Sequence, residues 1–321
     1  METWIGIDIS KDTFDAAWIF ENRKHHLKLE NNSGGFKRLL AEVPDSSNFA
    51  MEATGEYYLN CARYLSGHGR SVSVLNPFAV KMHMQSDLKR CKSDKADAYS
   101  IARFAAEKKS DQWKCPTDDE IRLKHLDTVI DSLQKQLVQS KNVLHSMSQV
   151  CIHDDFAVST LKKTISALET LVEKAKAKQA GMLSSSRSEE IALACSIPGI
   201  GLETALKFFT LVGDVGRFKN SRSLLSWVGS TPRCAQSGSS IHKKGSISRM
   251  GNARLRGQFY MCAISAIKFN PECIALYQRM KNSGKPSKVA LTAVTNKLLR
   301  QLYAILTKKE PYVPNFFQKI S

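Results

Sequence analysis

Four carboxylates in the first third of the chain occur in contexts that can bring them to one place. Asp8 lies inside an apolar run that predicts a β-strand, and Glu52 ends a second such run. Asp94 and Asp97 stand three residues apart at the start of a helical stretch, so both face the same side of that helix. A carboxylate inside a buried strand is costly unless it is paired or bound to a cation. The pattern therefore predicts one acidic site assembled from three segments.

Metal-assisted phosphoryl transfer is the chemistry that such a site favours. Clustered carboxylates repel one another and take up protons unless cations neutralise them. Mg2+ or Mn2+ prefers oxygen ligands, and two such ions about 4 Å apart can clamp the attacking and leaving groups of a phosphodiester. Each acid taken singly is also explained as a solvated residue, and Asp94 as a helix N-cap. The four together favour the metal site.

A second segment whose residues could take part in a reaction runs from Ser237 to Asn252, where small hydroxylated residues alternate with Lys and Arg. Its simplest interpretation is a flexible loop that grips phosphates. A sharper interpretation makes one serine a nucleophile, because a hydroxyl near a metal or a general base can form a covalent phosphoester. Composition alone favours the simpler interpretation.

The elements around these residues divide the chain into three predicted regions. Residues 1–112 alternate strand-like and helical runs, which predicts a mixed α/β sheet, with a basic loop from Lys81 to Lys92 before the paired aspartates. Residues 113–190 carry heptad-spaced apolar residues, which predict an antiparallel coiled coil or pairing with another subunit. Residues 191–321 open on a Pro-Gly-Ile-Gly turn at 198–201. That turn resembles a helix-hairpin-helix element whose amides hold a phosphate, and an ordinary tight helix connection uses the same residues.

Charge is distributed unevenly along the 321 residues, whose formal net charge is +17. Residues 1–112 hold 16 Lys/Arg against 15 Asp/Glu, residues 113–190 hold 11 against 11, and residues 191–321 hold 20 against 4. A basic surface of this strength neutralises phosphates, and its affinity falls steeply as salt rises. The last region is therefore expected to bind nucleic acid.

Cysteine usage and hydropathy exclude other classes. The eight cysteines include no C-x-x-C pair, so neither a zinc knuckle nor a disulfide framework is predicted. No apolar run approaches the length that crosses a bilayer, and the first residues lack the basic and apolar regions of a signal peptide. We expect a cytoplasmic protein without membrane contact.

Taken jointly, the motifs resemble the insertion-sequence transposases of family one-ten, relatives of the pilin-gene invertase. The resemblance spans essentially the whole chain. It implies an RNase-H/RuvC-like nuclease domain with an Asp-Glu-Asp-Asp set over 1–112, a coiled-coil linker or dimerisation region over 113–190, and a mainly helical, serine-bearing transposase domain over 191–321. The matching segments are Gly6-Ile7-Asp8, Glu52-Ala53-Thr54-Gly55, Ser93-Asp94-Lys95-Ala96-Asp97-Ala98, Ile197-Pro198-Gly199-Ile200-Gly201, Thr231-Pro232-Arg233 and Ser237-Gly238-Ser239-Ser240.

The resemblance also assigns roles to residues. It implies that the four acids bind Mg2+ (or Mn2+), with two ions per site, while Ser237 attacks a DNA phosphate and leaves a phosphoserine link. Ser239 and Ser240 stay open as alternative nucleophiles. The candidate nucleic-acid contacts are Arg233, Lys243, Lys244, Arg249, Arg254, Arg256, Gly199 and Gly201.

The partners follow from the same resemblance. Members of that family act on double-stranded donor and target DNA as dimers that pair into tetramers, with the serine of one subunit completing the acidic site of another. Several use a bridge RNA whose loops pair with both DNAs, which would explain a large basic surface without a base-reading module. Three alternatives remain: a protein-guided DNA invertase, a hydrolytic junction-resolving nuclease, and a non-catalytic nucleic-acid-binding protein.

Overall fold

The chain folds into two compact units, Met1–Pro116 and Thr117–Ser321. The computed structural model describes residues 3–53, 55–86, 93–108, 110–150, 152, 154–232, 236–237, 241–242, 247–248 and 250–314. None of the helices in these ranges is long and apolar enough to span a bilayer. The first unit is mixed α/β, as predicted, and the second is mostly helical.

A five-stranded mixed sheet forms the centre of the first unit. Its strands are β1 (Trp4–Ile9), β2 (Thr13–Phe20), β3 (Arg23–Glu30), β4 (Asn48–Glu52) and β5 (Val72–Leu75), in the spatial order β3-β2-β1-β4-β5. The β1–β2 and β2–β3 pairs are antiparallel, whereas β1–β4 and β4–β5 are parallel. Because β1 and β4 run in parallel, their carboxyl ends meet at the same edge of the sheet. Asp8 and Glu52 lie at that edge.

Helices cover both faces of this sheet. On one face, α1 (Ser33–Glu42) and α2 (Tyr58–Gly67) bury Phe36, Leu39 and Leu65 against strand residues such as Ile5 and Ile7. On the other face, α3 (Pro77–Ser86) and α4 (Asp94–Lys108) pack a smaller core. Successive strand residues point to opposite faces, so Asp8 and Gly6 share the α4 side.

Two elements of this unit were not predicted from the sequence. β3 is an edge strand whose sequence, RKHHLKLE, is largely polar and exposed, so its period-two signal is weak. The predicted basic loop from Lys81 to Lys92 is wrong for residues 81–86, which belong to α3. Pro77 begins that helix and Asn76 caps it, its Oδ1 accepting from the Phe78 amide at 2.9 Å.

The first unit extends a little beyond the boundary predicted at residue 112. The Trp113 amide donates to the Val72 carbonyl at 2.6 Å, and the Ser73 hydroxyl donates to the Asp111 carbonyl at 2.9 Å. These bonds attach the segment to the edge strand β5. The division of the remaining residues at 190 stays a prediction.

The second unit begins with two long helices, α5 (Asp118–Met147) and α6 (Asp155–Cys195), which pack against each other. Thr117 and Glu120 form a capping box at the start of α5. The pair is antiparallel: Lys141, late in α5, forms a 2.7 Å ion pair with Glu169, early in α6. Arg187 interrupts the helical backbone of α6. A heptad coiled coil over this pair stays a prediction.

The remaining helices form the core of the second unit around their apolar faces. Large buried side chains such as Phe208, Phe259 and Leu298 come from three different helices. These helices are α7 (Leu202–Val212), α8 (Ser221–Val228), α9 (Ala253–Phe269), α10 (Pro271–Asn282) and α11 (Ser287–Lys308).

Between α8 and α9 the chain forms a short β-hairpin. Its strands are β6 (Gln236–Ser237) and β7 (Ile241–His242), which pair antiparallel, and Pro232 forms a further antiparallel bridge to Ile247. The segment from Ser237 to Asn252 was predicted most simply as a flexible loop. Backbone pairing joins the described residues Ser237 and Ile241 of that segment, and residues 238–240, 243–246 and 249 lie outside the described residues.

Candidate active site

Asp8 is placed at the carboxyl end of β1, on the side of the sheet that α4 covers. Gly6 precedes it by two residues on the same face. A Cβ atom on Gly6 would clash with the backbone of Ala98 and Ala102 in α4. The absence of a side chain at this position lets the helix backbone lie directly on the strand. The start of α4, which carries Asp94 and Asp97, is thereby brought towards Asp8.

The cap of α4 is Ser93 rather than Asp94. The Ala96 amide donates to the Ser93 hydroxyl at 3.3 Å, and the Asp97 amide donates to the Ser93 carbonyl at 2.9 Å. A serine therefore satisfies the orphan amides that an N-cap serves. This removes the capping explanation for Asp94, whose carboxylate lies exposed in the first turn of the helix.

The pKa of Asp8 reports that the four predicted acids share one electrostatic environment. Burial raises it most, and Asp97, Asp94, Glu52 and Asp15 raise it further, so that it lies at about 6 instead of 3.8. Like charges disfavour ionisation of a carboxyl group, and desolvation acts in the same direction. Each of the three predicted partners contributes to this effect. The structure thus brings the acids of β1, β4 and α4 into one negatively charged locality.

Asp15 is a fifth acid at this locality that was not predicted from the sequence. It is the cross-strand partner of Asp8 in the β1–β2 ladder and is buried, with 6% of its surface exposed. Its Oδ1 lies 2.6 Å from Nε2 of His26 in β3. The signal in the sequence is the symmetric placement of the two aspartates about the β1–β2 turn. Because β3 was not predicted, its histidine partner was not identified.

Asn31 connects the two loops that leave the acidic edge of the sheet. Its Nδ2 donates to the Ser10 carbonyl at 3.0 Å, just after β1, and to the Tyr57 carbonyl at 3.3 Å, beyond the end of β4. The Asn31 amide also donates to the Asp12 carbonyl at 2.9 Å. One side chain therefore fixes the chain that follows Asp8 relative to the chain that follows Glu52.

The donor chemistry of this locality suits a hard divalent cation, because Asp8, Glu52, Asp94 and Asp97 offer carboxylate oxygens, the ligands that such a cation prefers. As the side chains stand, no three His, Cys, Asp or Glu groups in the described residues converge closely enough to hold a metal ion. Asp94, Asp97 and Glu52 are close enough to Asp8 to influence its ionisation, but in the described residues the four acids do not form a complete coordination shell.

Ser237 lies in β6, directly opposite Ile241 in the two-stranded ladder. The chain segments before and after this hairpin approach each other closely at two glycines, Gly229 and Gly251. A Cβ atom on Gly251 would clash with the Trp227 carbonyl and the Gly229 amide, and both glycines have positive φ values, +147° and +78°. Only glycine fits this approach readily. Ser239 and Ser240 lie outside the described residues.

The predicted nucleic-acid contacts are placed in different settings. Arg254 in α9 pairs with two aspartates of α5: its Nη1 lies 3.1 Å from Asp127 Oδ2, and its Nε lies 2.8 Å from Asp131 Oδ2. Arg256 donates from Nη1 to the Val228 carbonyl at the end of α8, at 3.0 Å. Both cations therefore hold α9 to its neighbours. Arg233, Lys243, Lys244 and Arg249 lie outside the described residues.

The predicted phosphate-holding turn packs closely on α9. Gly199 has φ +104°, and a Cβ atom there would clash with Ala266. Gly201 is the N-cap position of α7, and Glu203 places a carboxylate in the first turn of that helix. Glu203 is paired with Lys176, whose Nζ lies 2.5 Å from its Oε1, so an ion pair already occupies the start of this helix. This local geometry accords with the tight-connection interpretation of the turn.

Comparison with known proteins matches two family descriptions to the chain. Residues 5–152 match the IS110-type DEDD transposase family, and residues 191–278 match the transposase family described as IS116/IS110/IS902. The chain is 30% identical over 320 residues to the pilin gene-inverting protein of Moraxella bovis, covering 97% of this chain and 98% of that protein. The match to the protein of the same name from Moraxella lacunata has the same extent. A transposase for insertion element IS1111A from Coxiella burnetii is 24% identical, covering 96% of this chain and 90% of the relative.

These matches define the class as a transposase. The chain belongs to the IS110 family, whose members include both insertion-element transposases and pilin gene-inverting proteins. The family resemblance inferred from the motifs is confirmed.

Proposed function

We propose that the protein is a DNA recombinase of a mobile element that cuts and rejoins double-stranded DNA through a covalent serine-phosphodiester intermediate. The observation that carries the proposal is the shared field around Asp8, whose pKa is raised to about 6 by burial and by Asp97, Asp94 and Glu52. A perturbed carboxyl group whose charged neighbours come from separate elements favours a functional site over a structural one. The sheet order β3-β2-β1-β4-β5, with helices on both faces, supports an RNase-H/RuvC-like assignment for this unit.

Within this proposal, Asp8, Glu52, Asp94 and Asp97 hold two Mg2+ or Mn2+ ions. When bound, such ions polarise phosphate oxygens and lower the pKa of an attacking hydroxyl. The chain's own contribution is positional. Gly6 lets α4 approach β1, Ser93 caps α4, and Asn31 ties the loops that follow β1 and β4.

Ser237 acts as the nucleophile in this scheme. Its Oγ forms a bond to phosphorus, the bond from phosphorus to the 3'-oxygen breaks, the serine gives up its proton, and the departing 3'-oxygen gains one. Rejoining reverses these changes at a new 3'-hydroxyl. The number of phosphodiester bonds is conserved, so the exchange requires neither ATP nor hydrolysis. Ser237 is the last described residue of β6, and its backbone pairing with Ile241 supports a defined backbone position for the nucleophile.

The decisive experiment traps the reaction on a nicked substrate whose short fragment diffuses away. Wild-type protein is expected to form a denaturant-stable protein–DNA adduct with Mg2+, and mass spectrometry is expected to locate the nucleotide on Ser237. Ser237→Ala should abolish the adduct, whereas the matched variants Ser239→Ala and Ser240→Ala should retain it. An adduct on Ser239 or Ser240 would assign the role of nucleophile to that serine instead. Cleavage by Ser237→Ala with no adduct in wild type would establish the hydrolytic junction-resolving nuclease instead.

Bridge RNA guidance is the second part of the proposal. The excess of cations over acids in residues 191–321 favours backbone and shape recognition, and pairing by an RNA would supply sequence specificity. Protein expressed with its flanking DNA is expected to retain a discrete structured RNA, and nuclease treatment followed by repurification should remove recombination. Readdition of the transcribed RNA should restore it. Recombination that survives the loss of all RNA would contradict guidance.

A protein-guided, site-specific DNA invertase is the alternative that a specific observation favours. The pilin gene-inverting relatives are 30% identical over almost the full length of both chains, against 24% for the IS1111A transposase. A plasmid carrying two candidate sites in inverted orientation separates the outcomes. Inversion without RNA identifies the invertase, whereas RNA-dependent joining of separate donor and target DNA identifies the guided transposase. A non-catalytic DNA-binding protein would retain full biological activity when Asp8 is replaced by Asn.

A further inference from the structure

A groove between α10 and α11 carries charge that the site described above does not use. It has a volume of about 590 Å³. Its walls come from one face of each helix, since the lining residues on α10 run from Glu272 to Arg279 and those on α11 from Ala293 to Arg300. Both sets follow the helical spacing of three, four and seven residues. Ala275 and Ala293 are small, so the groove stays open between the helices.

Arginines stand at opposite ends of this groove. The two helices are antiparallel, because Cys273 and Asn270 lie beside Gln301 while Lys281 contacts Ser287. Arg279 therefore lies at one end and Arg300 at the other. Seven helical residues rise about 10 Å, so the two arginines stand far enough apart along the groove to contact different phosphates of one strand.

The positive charges of these arginines are not neutralised by ion pairs within the described part of the chain. Arg279 and Arg300 are both exposed, and neither forms an ion pair with an acid in the described part of the chain. The one acid in the lining, Glu272, accepts a hydrogen bond from the Tyr312 hydroxyl. Arg254, by contrast, is matched by Asp127 and Asp131. The groove thus presents the unmatched cations that a phosphate backbone would neutralise.

The groove is also connected to the serine hairpin. Asn296 lines it and donates from Nδ2 to the carbonyl of Ser230 at 3.2 Å. Ser230 is fully buried and immediately precedes the segment that leads to β6. A nucleic-acid strand in the groove therefore lies against the helix that anchors the stem of the hairpin carrying Ser237.

We propose that the groove between α10 and α11 is a binding surface for the sugar-phosphate backbone of duplex DNA, with Arg279 and Arg300 contacting phosphates of one strand. The assignment of DNA as the occupant rests on the proposed function. The surface contributes affinity and orientation rather than sequence recognition, because arginine contacts to phosphates are independent of the base.

Equilibrium binding without chemistry tests this proposal. Asp8→Asn protein in EDTA is titrated with a labelled DNA duplex, and with an RNA duplex of the same length, over a series of salt concentrations. In that background, Arg279→Gln/Arg300→Gln is expected to weaken DNA binding several-fold. The slope of log affinity against log salt should fall by about 1.8, since each lost phosphate contact removes about 0.9. Arg279→Lys/Arg300→Lys should retain most of the affinity.

The matched control is Lys285→Gln/Lys288→Gln, which removes two exposed positive charges near the same helices but outside the groove lining. It should change the slope less. Equal effects of the two double variants, or no effect of the groove variant, would overturn the proposal, and loss confined to the RNA duplex would overturn the assignment to DNA. If the groove variant weakens DNA binding but the wild type never forms the serine adduct, only the proposed reaction is refuted. If the wild type forms the adduct but the groove variant binds DNA normally, only the groove proposal is refuted.

Discussion

Gly6 in β1 and Ala98 in α4 lie so close that no side chain fits on the glycine. A Cβ atom there would clash with the Ala98 carbonyl oxygen. This contact fixes the distance between the strand that carries Asp8 and the helix that carries Asp94 and Asp97. The geometry of the acidic locality therefore depends on a residue with no functional group.

Gly6→Ala is expected to destabilise the first unit and to abolish recombination. The added methyl group must displace the backbone of α4, and overpacking of this kind costs about 1–3 kcal/mol. Urea unfolding followed by circular dichroism measures the first effect, and the nicked-substrate assay measures the second. Gly67→Ala is the matched control, because a Cβ atom at Gly67 meets no atom within 4 Å. Full activity of Gly6→Ala would show that the acids do not depend on this packing.

Asp8→Asn is expected to raise the thermal stability of the metal-free protein while eliminating adduct formation. Replacing the carboxylate by an amide removes a partly buried charge that Asp97, Asp94 and Glu52 repel. Calorimetry in EDTA should show a higher Tm for the variant, whereas Glu42→Gln, an exposed acid at the end of α1, should leave it unchanged.

Adding Mg2+ should reverse that order. An ion that binds only the folded wild type stabilises it by about 2.7 kcal/mol at a hundredfold excess over Kd. The Asp8→Asn protein should gain much less. A Tm of the wild type that does not respond to Mg2+ or Mn2+ would argue against metal binding by these acids.

Asn31→Ala is expected to lower metal affinity and activity by about 10- to 100-fold, the range found when groups that orient metal ligands are removed. The lost side chain no longer holds the Ser10 carbonyl and the Tyr57 carbonyl together, so Asp8 and Glu52 lose their fixed relation. Isothermal titration with Mn2+ separates this effect from loss of folding. Asn60→Ala, on the exposed side of α2, serves as the control. Equal Mn2+ affinity of Asn31→Ala and wild type would contradict the positioning role.

Arg254→Ala is expected to destabilise the second unit by about 2 kcal/mol at neutral pH, below the range for fully buried pairs because the arginine is partly exposed. The substitution leaves Asp127, which is almost fully buried, with Lys207 at 3.9 Å as its remaining cation. Burial already raises the pKa of Asp127, and loss of Arg254 raises it further.

The pH dependence of that deficit follows from the direction of the shift. Above the folded-state pKa of Asp127 the variant contains a buried carboxylate with reduced compensation, so the deficit is fully present at neutral pH. As the pH falls through that pKa, Asp127 is protonated and the deficit shrinks. Urea titrations from pH 7 to pH 4 test this, with the exposed Arg222→Ala as the control. A pH-independent deficit would exclude Asp127 as its source.

Much of the first unit could be predicted from the sequence because its signals are local. Alternating and continuous apolar runs predicted β1, β4 and β5, and the helical stretch after Ser93 predicted α4. The polar edge strand β3 gave no such signal, and Asp15 was passed over because its partner His26 lies on that strand. The four acids could be predicted because burying a carboxylate beside apolar segments costs free energy unless the group is paired or bound to a cation.

The sequence by itself determined the family, the residue types of the acidic site and the concentration of positive charge in the last region, since composition and motif spacing are carried along the chain. The tertiary structure decided which acids lie close enough to influence one another's ionisation and which cations are neutralised by ion pairs. Arg254 is held by two aspartates of α5, whereas Arg279 and Arg300 are not. Electrostatic pairing depends on distances between residues far apart in the chain, and only folding fixes those distances.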